Sequence, residues 1–218
     1  MTIWMRIIAA AIGYIPGLVS FGEIFAKAKG IDLRSQGSGN TGATNTLRVL
    51  GNKLGFITLA CDALKAIVPA VVVYFIFRGM TGESVHLLML YAAAGAVIGH
   101  IFPVHRGFKG GKGISSTLGL AIICFPQILP ITAVVFLGTV FLTRFVSLGS
   151  ILGALSLLIQ VIVMGQLGIL FMPAENLIEC YIVLAVVVFF DIFRHKDNIK
   201  RLLAGKENRF SLHHNAGK

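Results

Sequence analysis

Acidic residues are scarce in this chain: nine aspartates and glutamates stand among 218 residues, and charged residues of both signs together make up 13%. A soluble domain carries roughly twice that share, so a water-solvated exterior over the whole molecule is excluded. The shortage also removes chemistry. Clustered aspartates of the kind that hold divalent metal are missing. Cysteine is rarer still, and Cys61, Cys124 and Cys180 lie inside apolar segments at spacings that fit neither a disulfide framework nor a zinc site. They read as small core residues. There is no internal repeat, low-complexity tract or interdomain linker, so residues 1–218 form a single domain.

What remains is apolar and basic. Hydrophobic residues make up 56% of the chain, the mean hydropathy is +0.86 and the formal charge is +10. In a polar chain such a balance would point to nucleic acid; here it marks the cytoplasmic face of a membrane protein and an anionic ligand, with no nucleic acid partner. Residues 7–22 carry no charge and make a first span. The segment 54–77 makes a second, interrupted by Asp62 and Lys65, and 84–105 a third. Each is near the roughly 20 residues a crossing requires. The Ala26-Lys27-Ala28 triplet fits a cleavage box, but Glu23 and Lys27 interrupt the apolar region, so the first helix is read as retained. Gly113 to Thr143 is too long for one crossing, and Phe125-Pro126-Gln127 with Pro130 breaks it into two short helices. Phe145–Ala174 and Asn176–Phe193 complete an all-α bundle of seven transmembrane helices, N-terminus outside and C-terminus cytoplasmic. This layout puts every Lys and Arg inside except Arg6, Arg78 and the intrahelical Lys65, in keeping with the positive-inside bias.

Three polar segments then share one face. Ser35 to Arg48 reads SQGSGNTGATNTLR, a glycine-rich loop whose hydroxyls, amides and bare N–H groups are donors without bulk. Gly99 to Ser116 reads GHIFPVHRGFKGGKGISS, with Gly110-Gly111-Lys112-Gly113 just ahead of a short apolar helix, where N–H groups and glycines allow an anion to approach. It is not a Walker A loop, because Gly113 stands where Ser or Thr should follow the lysine. Arg194 to Phe210 describes an interfacial amphipathic helix with Ile199, Leu202 and Leu203 on one side and His195 and Asn198 three apart. Asp62 and Lys65, also three apart, are placed to pair. His100 and His105 lack the carboxylate and thiol neighbours of a metal site, and His100 is read as bonding a loop. His213 and His214 carry no signal. A cytoplasmic site of Gly, Ser, Thr, Asn, Arg and Lys fits a phosphorylated substrate handled without metal, beside a lipid-like partner.

On these segments the sequence resembles the bacterial acyl-phosphate:glycerol-3-phosphate acyltransferase family. That family's gly-ser-gly-asn-x-gly-ala-thr-asn is met by Gly37 to Asn45, with its arginine at Arg48. Its gly-his-x-phe-pro and phe-x-gly-gly-lys-gly are met at Gly99 to Pro103 and Phe108 to Gly113, and his-x-x-asn-ile-x-arg-leu with gly-x-glu at His195 to Leu202 and Gly205 to Glu207. Thr143 to Leu148 also resembles a family segment. Departures are Ala66 after Lys65, His105-Arg106 in place of an apolar pair, and Ser115-Ser116 in place of ala-thr; these bear on substrate affinity.

The resemblance implies acyl transfer from acyl phosphate to the 1-hydroxyl of glycerol 3-phosphate, giving lysophosphatidate and phosphate, without a cofactor. No histidine here has an aspartate five positions on, so the base dyad of other glycerolipid acyltransferases is absent. The expected catalytic residues are Lys112 and Arg48, with His195 as an alternative to a substrate oxygen as base. The expected substrate-binding residues are Ser38, Gly39, Asn40, Thr41, Thr44, Asn45, Lys109, Gly110, Gly111, Ser116, Asn198 and Glu207. The enzyme is expected to act as a monomer in the bilayer, with the soluble enzyme that makes acyl phosphate as a candidate partner on the basic face. A membrane transporter of a phosphorylated solute is the rival reading, though no inverted repeat supports it.

Overall fold

The computed structural model describes residues 1–210, so Lys218, His213 and His214 lie outside the described residues. All regular structure among the described residues is helical. The elements are α1 (Ile3–Gly17), α2 (Phe21–Lys27), α3 (Ala43–Leu50), α4 (Asn52–Thr81), α5 (Val85–Ile101), α6 (Ile114–Cys124), α7 (Leu129–Thr143), α8 (Val146–Gln166), α9 (Leu177–Phe193) and α10 (Lys196–Leu203). Five segments are long and apolar enough to cross a membrane: Ile3–Lys27, Asn52–Arg106, Pro126–Thr143, Val146–Gln166 and Ala174–Phe193. The second of these contains α4 and α5, folded back on each other at the turn Gly82–Ser84, while α6 is a shorter apolar helix. The expected break falls at Phe125 to Ile128. Pro126 opens its 3-10 turn, whereas Pro130 lies in the first turn of α7, where a missing N–H costs no helix bond.

Helix α5 is the centre of the bundle, buried along nearly its whole length. It runs parallel to α1, and small residues bring the two backbones together: a Cβ on Gly13 would meet the Ala92 carbonyl at 1.7 Å, and one on Gly95 the Ala10 carbonyl at 2.2 Å. In lipid, where no hydrophobic force joins helices, such close approach supplies the attraction. The perimeter is apolar, with Trp4, Phe75, Phe141, Leu142 and Ile178 all largely exposed. By contrast α7 buries none of its residues and packs chiefly along α8 in antiparallel fashion, with Gly149 and Gly153 set against Phe136. It stands away from α4 and α6, and the space between is an apolar cavity.

The two ends of the bundle differ in kind. One is pinned by Arg6 of α1, which grips Glu179 of α9 while Tyr91 of α5 donates to the same carboxylate, and by Asn176 donating to Ser84 (2.9 Å). At the other end the three polar segments interlock. Arg34 donates to Glu23 (2.7 Å) and to the Lys109 carbonyl (2.9 Å), Arg106 also pairs with Glu23, and Arg194 donates to the Gly110 carbonyl (2.8 Å). The few acids at this end are thus partly taken up in ion pairs, Glu23 with two arginines and Glu207 with Arg201.

Candidate active site

The stretch Ser35 to Arg48 is loop only in its first half. From Ala43 it is helix, because Gly42 is extended and its carbonyl accepts from the N–H groups of Asn45 and Thr46, starting the first turn. Asn45, read as a substrate donor, turns inward and braces the loop. Its Oδ1 accepts from Ser38 N (2.8 Å) and its Nδ2 donates to the Gln36 carbonyl (3.0 Å). Asn40 similarly caps Gly42 N (2.8 Å), which leaves its Nδ2 for a ligand.

The second segment folds against the end of α5. Gly110 N and Gly111 N donate to the carbonyls of Ile101 and His100, and a Cβ on Gly111 would come within 2.0 Å of His100 Nε2. Only glycine lets the backbone lie there. Gly113, at φ +95°, then turns the chain into α6 and leaves Lys112 aimed at α10. Lys112 Nζ donates to Asn198 Oδ1, Asn198 Nδ2 donates to Glu207 (2.7 Å), and Glu207 also accepts from Ser147 (3.1 Å) and Arg201 (2.8 Å). Burial works against the Glu207 charge, yet these bonds outweigh it and hold its pKa below the usual carboxylate range. Burial pushes the Lys112 ammonium down to about 8.

His195 caps α10 from the end of α9 and is buried. Its Nδ1 lies 2.7 Å from the Asp191 carbonyl, which can only accept, so the ring proton sits on Nδ1 and Nε2 keeps a lone pair. Burial first, and the Lys112 charge second, press its pKa to about 4, so it is neutral at ordinary pH.

Around these groups lies a polar cavity of about 120 Å³, lined by Ser38, Asn40, Thr44, Asn45, Arg48, Lys112, His195 and Asn198 from the residues expected, together with His100, Ser115, Ser147 and Ser150. The remaining expected residues do not line it. Thr41 is buried against Gly22, Lys109 is exposed with its carbonyl held by Arg34, and Gly39, Gly110 and Gly111 shape loops. Ser116 is buried one position beyond Ser115, and Glu207 stands behind Asn198. Ser147 and Ser150, which are not among the residues expected, share one face of α8 at a spacing of three; a polar pair so spaced at the start of an apolar helix is the signal by which they could be found.

A second cavity of about 700 Å³ opens beside the first, between α3, α4, α6, α7 and α8. It is apolar, with Leu47, Phe56, Leu118, Ala133, Leu137 and Leu157 among its walls. Thr44, Leu59, Ile114, Phe136, Val146 and Ser150 belong to both. A small cationic chamber thus shares a wall with a long apolar one.

The sequence matches the family described as glycerol-3-phosphate acyltransferase over residues 7–205. The glycerol-3-phosphate acyltransferase of Aquifex aeolicus is 38% identical over 90% of this chain and 95% of its own, and that of Shouchella clausii is 40% identical over 93% and 94%. Two crystal structures of PlsY (YgiH), an integral membrane glycerol 3-phosphate acyltransferase, superimpose closely. The glycerol 3-phosphate form gives a TM-score of 0.80 at 36% identity over 94% of this chain and 96% of that one; the lysophosphatidic acid form gives 0.78 at 35% over 95% and 96%. Matched in sequence and in fold along nearly its whole length, the chain belongs to the glycerol-3-phosphate acyltransferase family.

Proposed function

We propose that this acyltransferase moves an acyl group from an acyl phosphate to the 1-hydroxyl of glycerol 3-phosphate, releasing lysophosphatidate and inorganic phosphate at the cytoplasmic face of the bacterial inner membrane. The observation that carries the reading is the shared wall between the two cavities. Arg48, Lys112, the Ser38 hydroxyl and the free Nδ2 of Asn40 make a chamber suited to phosphate, and the apolar space beside it suits a hydrocarbon chain. An acyl phosphate spanning both would set its carbonyl near Thr44 and Ser150, at the junction.

An acyl phosphate is a mixed anhydride and already activated, so holding two phosphorylated molecules in register supplies much of the rate. The hydroxyl oxygen attacks the acyl carbon, the bond from that carbon to the bridging oxygen breaks, and phosphate leaves. The hydroxyl proton passes to an oxygen of the acyl phosphate. Arg48 and Lys112 offset the charge that grows on the leaving group. His195 is uncharged and keeps a fixed ring lone pair on Nε2 that no other group engages among the described residues, so it orients the attacking hydroxyl and is the alternative base. A seven-helix topology with the N-terminus outside puts this end inward, where a soluble enzyme supplying acyl phosphate would meet a basic rim.

Purified protein given acyl phosphate and glycerol 3-phosphate in the presence of a chelator should form lysophosphatidate; no product from active substrates would overturn the reading. A His195→Ala enzyme that keeps near wild-type turnover would remove His195 as base and leave the substrate oxygen in that role.

A further inference from the structure

His100 lines the polar chamber, and nothing in the chemistry above uses it. It is the next-to-last residue of α5 and is buried. Lys65 of α4 reaches it from behind. Lys65 Nζ lies 2.5 Å from His100 Nδ1, 2.8 Å from the Val19 carbonyl and 2.9 Å from Asp62 Oδ1. An ammonium has three protons and no lone pair, and here three acceptors surround it. His100 Nδ1 therefore accepts, and the single proton of the neutral ring is on Nε2. That Nε2–H has no hydrogen-bond partner among the described residues. It lies over Gly111, where a Cβ would come within 2.0 Å of it, in the loop that carries Lys112. His195 has the reverse tautomer, with its free lone pair on Nε2. The chamber thus contains two imidazoles fixed in opposite senses, one donor and one acceptor.

A buried ion pair between apolar helices is costly, and removing either partner leaves an uncompensated charge. Asp62 and Lys65 are both almost fully buried and sit away from the chamber lining. Their arrangement does one thing that two apolar side chains could not, which is to fix the imidazole proton.

We propose that His100 is a substrate-binding residue whose Nε2–H donates to an oxygen of the phosphorylated acceptor, and that Lys65, anchored by Asp62 and the Val19 carbonyl, is the positioning residue that holds this tautomer. The proposal rests on the reading of glycerol 3-phosphate as acceptor. Loss of one donor to a charged oxygen weakens ground-state binding by roughly tenfold, so the effect belongs in KM and not in kcat.

The test compares steady-state kinetics of wild type, His100→Asn, His100→Gln and the double variant Asp62→Asn/Lys65→Met in one acyl-transfer assay. Asn keeps an acceptor near Nδ1 and loses the distal donor; Gln places an N–H where Nε2–H stands. His100→Asn should raise the KM for glycerol 3-phosphate about tenfold with little change in kcat, and His100→Gln should recover most of that loss. The double variant, which has no buried charge left over, should behave like His100→Asn. An unchanged KM in His100→Asn overturns the donor role, and an unchanged KM in a folded double variant overturns the positioning role. Should the variants fold poorly, the ¹⁵N spectrum of histidine-labelled wild type decides: His100 protonated on Nε2 supports the relay, and on Nδ1 or on both nitrogens overturns it. A wild type without turnover would count against acyl transfer itself, while the spectrum would still read the tautomer.

Discussion

At Lys112 burial outweighs the acids around it. Glu207 and Asp197 act to keep its proton, Arg201 and Arg48 to remove it, and removal from water sets the balance near a pKa of about 8. The ammonium is the form that binds phosphate, so its contribution is full below that value and is lost as pH rises through it. The kcat/KM for glycerol 3-phosphate, which reports groups of the free enzyme, should therefore fall above a pH of about 8. Lys112→Arg keeps its charge through this range and should remove the alkaline fall; a profile identical to wild type would show that Lys112 does not titrate there. Lys112→Ala should raise KM severalfold at neutral pH, with thermal unfolding unchanged as the control. The type of residue at this position was plain in the sequence, since a lysine between glycines ahead of a helix is a usual way to meet an anion. Its partner was not. Asn198 and Glu207 were both expected to touch substrate, and the distinction between Asn198, which lines the chamber, and Glu207, which holds Asn198 from behind, depends on side-chain direction that no spacing rule gives.

Among the elements, the long apolar helices were legible because a bilayer demands uninterrupted runs, and ends such as Phe193 could be read from the charge that follows. Two short helices were not. Helix α2 lies just past the first uncharged run, where Glu23 and Lys27 interrupt the apolar pattern, and α3 begins inside a run rich in Gly, Ser, Thr and Asn, residues that by themselves favour turns. Tertiary contacts override that preference: Asn45 is held by the preceding loop, and Leu47 packs on Gly55 of α4. The pairing of α1 with α5 was likewise invisible, although its glycines were in view, because spacing alone does not name the partner helix. It yields a prediction. Gly95→Ala pushes a methyl into the Ala10 carbonyl and should destabilise the protein by about 1–3 kcal/mol, read as a lower melting temperature in detergent. Gly79→Ala, in α4 with nothing within 4 Å of the added carbon, should change stability by less than about 1 kcal/mol, in the stabilising direction. Equal shifts in the two variants would refute the close α1–α5 approach.

For the molecule as a whole, the difference between its ends is the basis for orientation. The Gly82–Ser84 turn, the Pro126–Ile128 turn and the Ala174–Asn176 turn all belong to the end pinned by Arg6 and Glu179, where basic residues are few. Lys27, Lys29, Arg48, Lys53, Arg144, Lys196 and Lys200 gather at the other end, around the chamber, and through the positive-inside bias they are the ground for the proposed cytoplasmic placement of that end. Helix α6 leaves the chamber at Ile114 and α8 starts beside it at Val146 and Ser147, so α6 and α7 go out and come back; the proposed seven-helix layout reads that pair as two crossings. Single cysteines introduced into a variant lacking Cys61, Cys124 and Cys180 test this directly. In intact cells a membrane-impermeant maleimide should label Glu83→Cys and Glu175→Cys, both exposed at the pinned end, and should label Lys29→Cys and Lys200→Cys only after the cells are opened. Labelling of Lys29→Cys from outside would invert the molecule and separate its phosphate-binding end from a cytoplasmic supply of substrate. Labelling of Glu83→Cys and Lys200→Cys from the same side would instead break the parity, and with it the seven-helix layout.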